Sequence, residues 1–231
     1  MAINTQTDMV EQVRGIFSGG WSVRPSRRLP DPGGLSLGNE AVSLDATVVC
    51  ADLSGSTRIV DTSYPTLATE IYKAYLYCAS TLIRDGGGEV TAYDGDRIVG
   101  MFIGDARNTM AVRCALAINW SVDKVINPTL RAKYSDEAHR VRQVVGVDTS
   151  NVMAARTEIR GSTDLVWVGQ AANYAAKLTE LDADYPTWIT HRVYDLMDDS
   201  VRYYKGQNIW EPRVWRAVNE LSIYRSNWWF R

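Results

Sequence analysis

Two β-rich runs flank Asp94-Gly95-Asp96, with Glu89-Val90-Thr91-Ala92-Tyr93 before it and Arg97-Ile98-Val99-Gly100-Met101-Phe102 after it. Asp-Gly between such runs is a strong short-range hairpin signal and commits this stretch to an antiparallel pair. Upstream, Thr47-Val48-Val49-Cys50-Ala51 reads as a buried strand ending in Asp52, followed at once by the small-residue loop Leu53-Ser54-Gly55-Ser56-Thr57. Between these segments a helix is predicted from Tyr64-Pro65, burying Leu67, Ile71, Tyr75, Cys78 and Leu82 at steps of three and four. Gly86-Gly87-Gly88 stops it, and Asp105 is the expected N-cap of a second helix reaching Val122. Strands are predicted over 141–147 and 165–168, with an Ala-rich helix over 169–181. Helices interleaved with partly hairpin-paired strands predict an α+β sandwich, its mixed or antiparallel sheet flanked by helices.

Residues 1–40 read as an N-terminal extension, 41–220 as the main domain, and 221–231 as an aromatic tail carrying Trp228-Trp229-Phe230. Within the extension a short amphipathic stretch, residues 9–17, precedes a Gly-, Pro- and Arg-rich segment whose composition favours irregular structure. The tail is expected to dock on its own domain. A net charge of −2 gives no electrostatic footprint for nucleic acid. No apolar run approaches the ~18 residues needed to span a bilayer. Cys50, Cys78 and Cys114 fall in apolar segments without metal-ligand spacing, which predicts buried free thiols in a reducing compartment, the cytoplasm. His139 and His191 are isolated and read as surface residues.

Three constellations carry chemistry. Asp52 fits a turn or cap role taken alone, but it precedes a loop in which Gly55 permits close approach to an anion. Asp94 suits the first position of a type I′ turn, whereas Asp96 is expected to enter the second strand, where an Asp has no structural task. Two carboxylates at adjacent strand ends beside such a loop can hold divalent cations against a triphosphate. The third constellation is Val166-Trp167-Val168-Gly169-Gln170-Ala171-Ala172-Asn173-Tyr174-Ala175-Ala176-Lys177. Asn173 and Lys177 share one helix face, reading either as a solvated face or as an amide and a cation aimed at a substrate.

These segments, in this order, resemble the class III nucleotidyl cyclase catalytic domain. Its marks are an Asp-hydrophobic-x-Gly-x-Thr strand end (Asp52 to Thr57), a Gly-Asp hairpin (Gly95-Asp96) and a Gly-x-x-x-Asn-x-x-x-Arg helix (Gly169, Asn173, Lys177). The resemblance implies a ferredoxin-like core. It implies that Asp52, Asp96 and the Leu53 carbonyl bind two Mg²⁺ or Mn²⁺ ions, and that Ser54, Gly55, Ser56 and Thr57 hold phosphates. It implies that Asn173 orients the ribose, that Lys177 replaces a transition-state Arg, and that a head-to-tail homodimer carries two composite sites.

The departures shape the substrate reading. Ala92 and Val166 stand where adenylate cyclases carry base-reading polar residues, and neither side chain hydrogen-bonds a base. Tyr93 and Trp167, next to them, either close around a smaller base or point into the core. The family's triphosphate-binding Arg is Val144 here, with Arg142 or Lys205 as candidate substitutes. The combination is similar to the bacterial pyrimidine cyclases of Pycsar anti-phage systems. That similarity implies conversion of UTP, favoured over CTP, to the 3′,5′-cyclic monophosphate and pyrophosphate, with the product activating a separate effector. The competing readings are an adenylate or guanylate cyclase with unconventional base recognition, a non-catalytic cyclase-homology module, and, more distantly, a DxD glycosyltransferase.

Overall fold

A computed structural model describes residues 5–134, 140–159 and 162–230. In chain order its elements begin α1 (Thr5–Ser18), β1 (Ser22–Pro25), β2 (Glu40–Leu53), α2 (Ser56–Thr62), α3 (Pro65–Asp85), β3 (Glu89–Asp94), β4 (Arg97–Phe102), α4 (Arg107–Ser121) and α5 (Asn127–Lys133). They continue β5 (Gln143–Ile159), β6 (Ser162–Gly169), α6 (Gln170–Leu178), β7 (Thr187–Thr190), α7 (His191–Leu196), α8 (Asp199–Arg202), β8 (Tyr203–Tyr204), β9 (Gln207–Asn208), β10 (Glu211–Trp215) and β11 (Leu221–Ser226). The chain divides into two compact units, Met1–Leu44 with Asn151–Gly169, and Asp45–Ser150 with Gln170–Arg231.

In the larger unit the strands run in the order β10-β11-β7-β5-β2-β4-β3. The β2–β4, β3–β4, β7–β11 and β10–β11 pairs are antiparallel, while β5 and β7 are parallel. The sheet is therefore mixed and mostly antiparallel, as the α+β reading expected. Its two faces bury different residues of β5, as the period of two requires. Val145 and Val147 pack into a core with Leu67, Ile71, Tyr75 and Ile83 of α3 and Val112, Ala115, Leu116 and Ile118 of α4. Val144 joins Leu178, Trp188, Trp215 and Ile223 in a second apolar cluster. Each fully buried aliphatic side chain contributes roughly 1.5–3 kcal/mol, so these two layers hold the sheet ends in place.

In the smaller unit β1 pairs in parallel with the start of β2, from Ser22↔Glu40 to Pro25↔Ser43. The far half of β5 pairs antiparallel with β6, from Val152↔Gly169 to Ile159↔Ser162. Asn39 Nδ2 donates to the carbonyls of Ile16 and Gly19, which ends α1.

Several local expectations are corrected. The segment read as irregular contains β1, because pairing with a distant strand supplies the hydrogen bonds its own sequence does not announce. The N-cap of α4 is Ala106, with no side-chain cap bond, so Asp105 does not start that helix. Residues 221–226 form β11 inside the sheet, and the tail proper is shorter. That tail docks on the larger unit: Asn119 Nδ2 donates to the Trp228 carbonyl at 2.7 Å, and the Phe230 N–H donates to the Leu116 carbonyl at 3.4 Å. Cys50 and Cys114 are buried free thiols, each pushed up to about 12 by burial, whereas Cys78 is half-buried. His191 is half-buried with an unpartnered Nδ1, and His139 lies outside the described residues. No helix among the described residues is long and apolar enough to cross a membrane.

Candidate active site

The register of β2 on β4 runs from Thr47↔Phe102 to Ala51↔Ile98. Continued by one and two residues, it sets Asp52 opposite Arg97 and Leu53 opposite Asp96, so both carboxylates emerge at one end of the sheet. Asp94 closes β3 against Arg97, which leaves Gly95 and Asp96 as a two-residue hairpin loop. Gly95 has φ 62° and Asp96 has no positive φ, the pattern of a type II′ turn and not of type I′. Asp96 therefore sits in the turn and not, as expected, in the second strand. Its Oδ2 is buried without a hydrogen-bond partner among the described residues.

Asp52 is engaged. Arg97 donates to its Oδ2 from Nε at 3.1 Å and from a terminal nitrogen at 2.7 Å. Burial nevertheless holds the Asp52 carboxyl above its ordinary range, with the charge of Asp96 adding to the rise and Arg97 opposing it. Tyr75 of α3 lies below, fully buried, its hydroxyl unpartnered and its pKa raised first by burial and then by the nearby carboxylates. Neither Arg97 nor Tyr75 stood out in the sequence. Arg97 looked like an ordinary strand residue, and Tyr75 belonged to the apolar stripe of α3.

An orphaned carboxylate oxygen beside a second desolvated carboxylate fits a divalent cation, because hard cations take oxygen ligands and offset exactly this kind of like-charge crowding. Asp52, Asp96 and the Leu53 carbonyl are the groups that would hold it. Among the described residues no cluster of three or more His, Cys, Asp or Glu side chains offers an alternative.

Gly55 adopts the left-handed conformation, φ 71°, at the start of α2. The Ser54 N–H donates to the Arg142 carbonyl at 2.9 Å, so it is spent on the fold and ties Arg142 to the loop. Ser54, Gly55 and Arg142 line one cavity together with Arg58 and Arg140. Ser56 and Thr57 form the first turn of α2. Lys205 lies elsewhere, in the turn between β8 and β9, with its Nζ 5.5 Å from the Tyr204 ring centre.

Asn173 and Lys177 share the exposed face of α6, whose other face buries Ala171, Ala175 and Leu178. Gly146 makes this packing possible: a Cβ there would stand 2.1 Å from the Ala175 carbonyl. The start of α6 is held by the Ser150 hydroxyl, which accepts from the Ala171 N–H at 3.0 Å, and by Arg192, which donates to the Gln170 side chain at 2.6 Å. Arg192 also pairs with the fully buried Asp148 at 2.8 Å. Thus α6 lies against β5 and β7, while the carboxylates end β2 and β4. Ala92 and Tyr93 are exposed on β3, so Tyr93 does not point into the core. On β6 Val166 is exposed and Trp167 is half-buried, on alternate faces of the strand.

No protein-family model matches the chain. It is 46% identical over 217 residues to the uridylate cyclase of Xanthomonas perforans, covering 94% of each chain. It is 45% identical over 223 residues to the uridylate cyclase of Burkholderia cepacia, covering 96% of each. Among solved structures it is similar to the guanylyl cyclase Cya2, with a TM-score of 0.68 at 15% identity over 82% of this chain and 94% of that one. It is also similar to the non-canonical dimeric guanylyl cyclase domain of the RhoGC fusion protein from the aquatic fungus Blastocladiella emersonii, with a TM-score of 0.62 at 14% identity over 79% of this chain and 96% of that one. The structural likeness shows the class III cyclase fold.

Proposed function

The chain belongs to the uridylate cyclase family, and from that premise we propose that it converts UTP, in preference to CTP, to 3′,5′-cyclic UMP and pyrophosphate. The observation that carries this reading is the buried, unpartnered Oδ2 of Asp96 at the sheet end it shares with Asp52. Leaving such an oxygen unpaired is costly, so the site is built for a partner that arrives from outside. Bound Mg²⁺ or Mn²⁺, two per site, supplies acidity at the ribose 3′-hydroxyl and charge neutralisation along the triphosphate.

The residues of the chain do the positioning. Asp52, Asp96 and the Leu53 carbonyl fix the place of the cations, and the 54–57 loop receives the phosphates. The 3′-hydroxyl gives up its proton to solvent, and its oxygen forms its bond to the α-phosphorus as the bond to the oxygen bridging to the β-phosphorus breaks. Pyrophosphate leaves with that electron pair. Lys177 stabilises charge at the α-phosphoryl oxygens, without the bidentate fork of an arginine, and Asn173 orients the sugar. Their exposure on α6, two strands away from β4 in the sheet, supports a homodimer in which a second copy supplies them.

UTP is favoured because the similar proteins are named uridylate cyclases and because Ala92 and Val166 offer no hydrogen bond to a purine. The proposed setting is the cytoplasm, in anti-phage defence, where the cyclic product activates a separate effector. Incubation with equimolar ATP, GTP, CTP and UTP plus Mn²⁺, with products resolved by mass, tests the reading. Cyclic UMP as the main product is expected. Cyclic AMP or GMP as the main product overturns the pyrimidine assignment, and no cyclic product from any nucleotide overturns the catalytic one.

A further inference from the structure

Val144 occupies the position at which the resemblance puts a triphosphate-binding arginine, yet it is 1% exposed and packed into the second apolar cluster. No charge reaches the triphosphate from there. A cavity of about 380 Å³ nearby has Ser54 and Gly55 in its wall, two and three residues past Asp52. Three guanidinium groups, those of Arg58, Arg140 and Arg142, line it, and among the described residues no carboxylate side chain does.

The three are not equivalent. Arg142 is ion-paired with Asp184, so its charge is already answered. Arg140 is 73% exposed and only loosely tied to Asp123, at 3.8 Å. Arg58 makes no ion pair among the described residues. Like charges gathered around one cavity are unfavourable until an anion enters, and arginine forks match phosphoryl oxygens in pairs.

We infer that Arg58 and Arg140 hold the terminal phosphates of the triphosphate, and afterwards the pyrophosphate, in place of the missing strand arginine. Arg142 forms the wall between them, fixed by Asp184 and by the bond from Ser54. The inference deepens the nucleotide-cyclase reading and rests on it. Arg58 follows Thr57 directly, and Arg140 precedes the strand that carries Val144, so both sat beside recognised motifs without belonging to them.

The experiment is calorimetric titration of the full chain with inorganic tripolyphosphate and with pyrophosphate, in the absence of any nucleoside. Arg58→Gln and Arg140→Gln are each expected to weaken binding about tenfold, as the loss of a charge-assisted hydrogen bond does. Arg84→Gln, an exposed arginine at the end of α3, is expected to leave binding unchanged. In turnover the two cavity variants raise KM for UTP and relieve pyrophosphate inhibition, with kcat changing less. Wild-type affinity in both variants, or no binding by the wild type, overturns the inference. Arginine-dependent binding without any cyclic product instead overturns the catalytic reading and leaves the phosphate site standing. Cyclic UMP formation that is indifferent to both substitutions does the reverse.

Discussion

Arg97 holds Asp52 with two hydrogen bonds, at 3.1 and 2.7 Å, from the position directly after Asp96 in the chain. The residue that follows one sheet-end carboxylate in sequence therefore neutralises the other in space. A cation arriving at this pair competes with a guanidinium that is already there.

Removing that guanidinium exposes the competition. In Arg97→Ala the partly exposed ion pair is lost, at a cost of about 1–2 kcal/mol, which lowers the melting temperature by roughly 2–8 °C. Added Mn²⁺ is expected to raise the melting temperature of the variant by more than it raises that of the wild type. Thermal melts with and without Mn²⁺ check this, and an equal Mn²⁺ response in both proteins contradicts it.

The separation of α6 from the carboxylates predicts complementation between dead subunits. Asp52→Ala and Lys177→Ala are each expected to be inactive as homodimers. An equimolar mixture, allowed to exchange subunits, regains about a quarter of wild-type activity, because half of the dimers are mixed and each of these has one intact site. Activity of the mixture no higher than that of the two variants alone argues against composite sites.

Gly146 is the seat of α6. In Gly146→Ala the new Cβ meets the Ala175 carbonyl, which stands 2.1 Å from that position, and the helix has to move. Overpacking of this kind costs about 1–3 kcal/mol, visible as a lower urea midpoint. Turnover is expected to fall further than stability does, because Asn173 and Lys177 move with the helix. Unchanged kcat in a folded variant contradicts the proposed role of α6.

Asp148 gives a pH dependence of known sign. Burial raises its folded-state pKa, against the opposing bonds from Thr190 and Arg192. A carboxyl with a raised folded-state pKa contributes stability that is present below the unfolded value and lost as pH rises through the folded one. Wild-type stability relative to Asp148→Asn is thus expected to improve as pH falls from about 7 towards 4. Urea unfolding at several pH values reads the difference, and the opposite slope rules out burial as the dominant influence.

Much of this arrangement was legible in the chain. The hairpin, α3 and α6 declare themselves through local signals: an Asp-Gly turn, an apolar stripe at steps of three and four, and alanines around Asn173. What stayed hidden depends on partners far away in sequence. β1 has little strand character of its own and exists through pairing with β2. Arg97 meets Asp52 only once the register of β2 on β4 is set, 45 residues apart. The turn geometry that places Asp96 in the loop follows from the pairing of Asp94 with Arg97 between β3 and β4. Arg58 and Arg140 line one cavity because the bond from the Ser54 N–H to the Arg142 carbonyl joins the loop before α2 to the entry of β5, and no spacing rule announces it.

The most direct measurement is turnover of UTP by Asp96→Asn in Mn²⁺, with a thermal melt to show that the variant is folded. The substitution keeps the shape of the side chain and removes the charge that the buried Oδ2 carries. A loss of about a thousandfold or more in kcat, as expected for removal of a group that fixes the charge-stabilising centre, is the expected result. Turnover near that of the wild type would contradict the assignment of this sheet end as the active site.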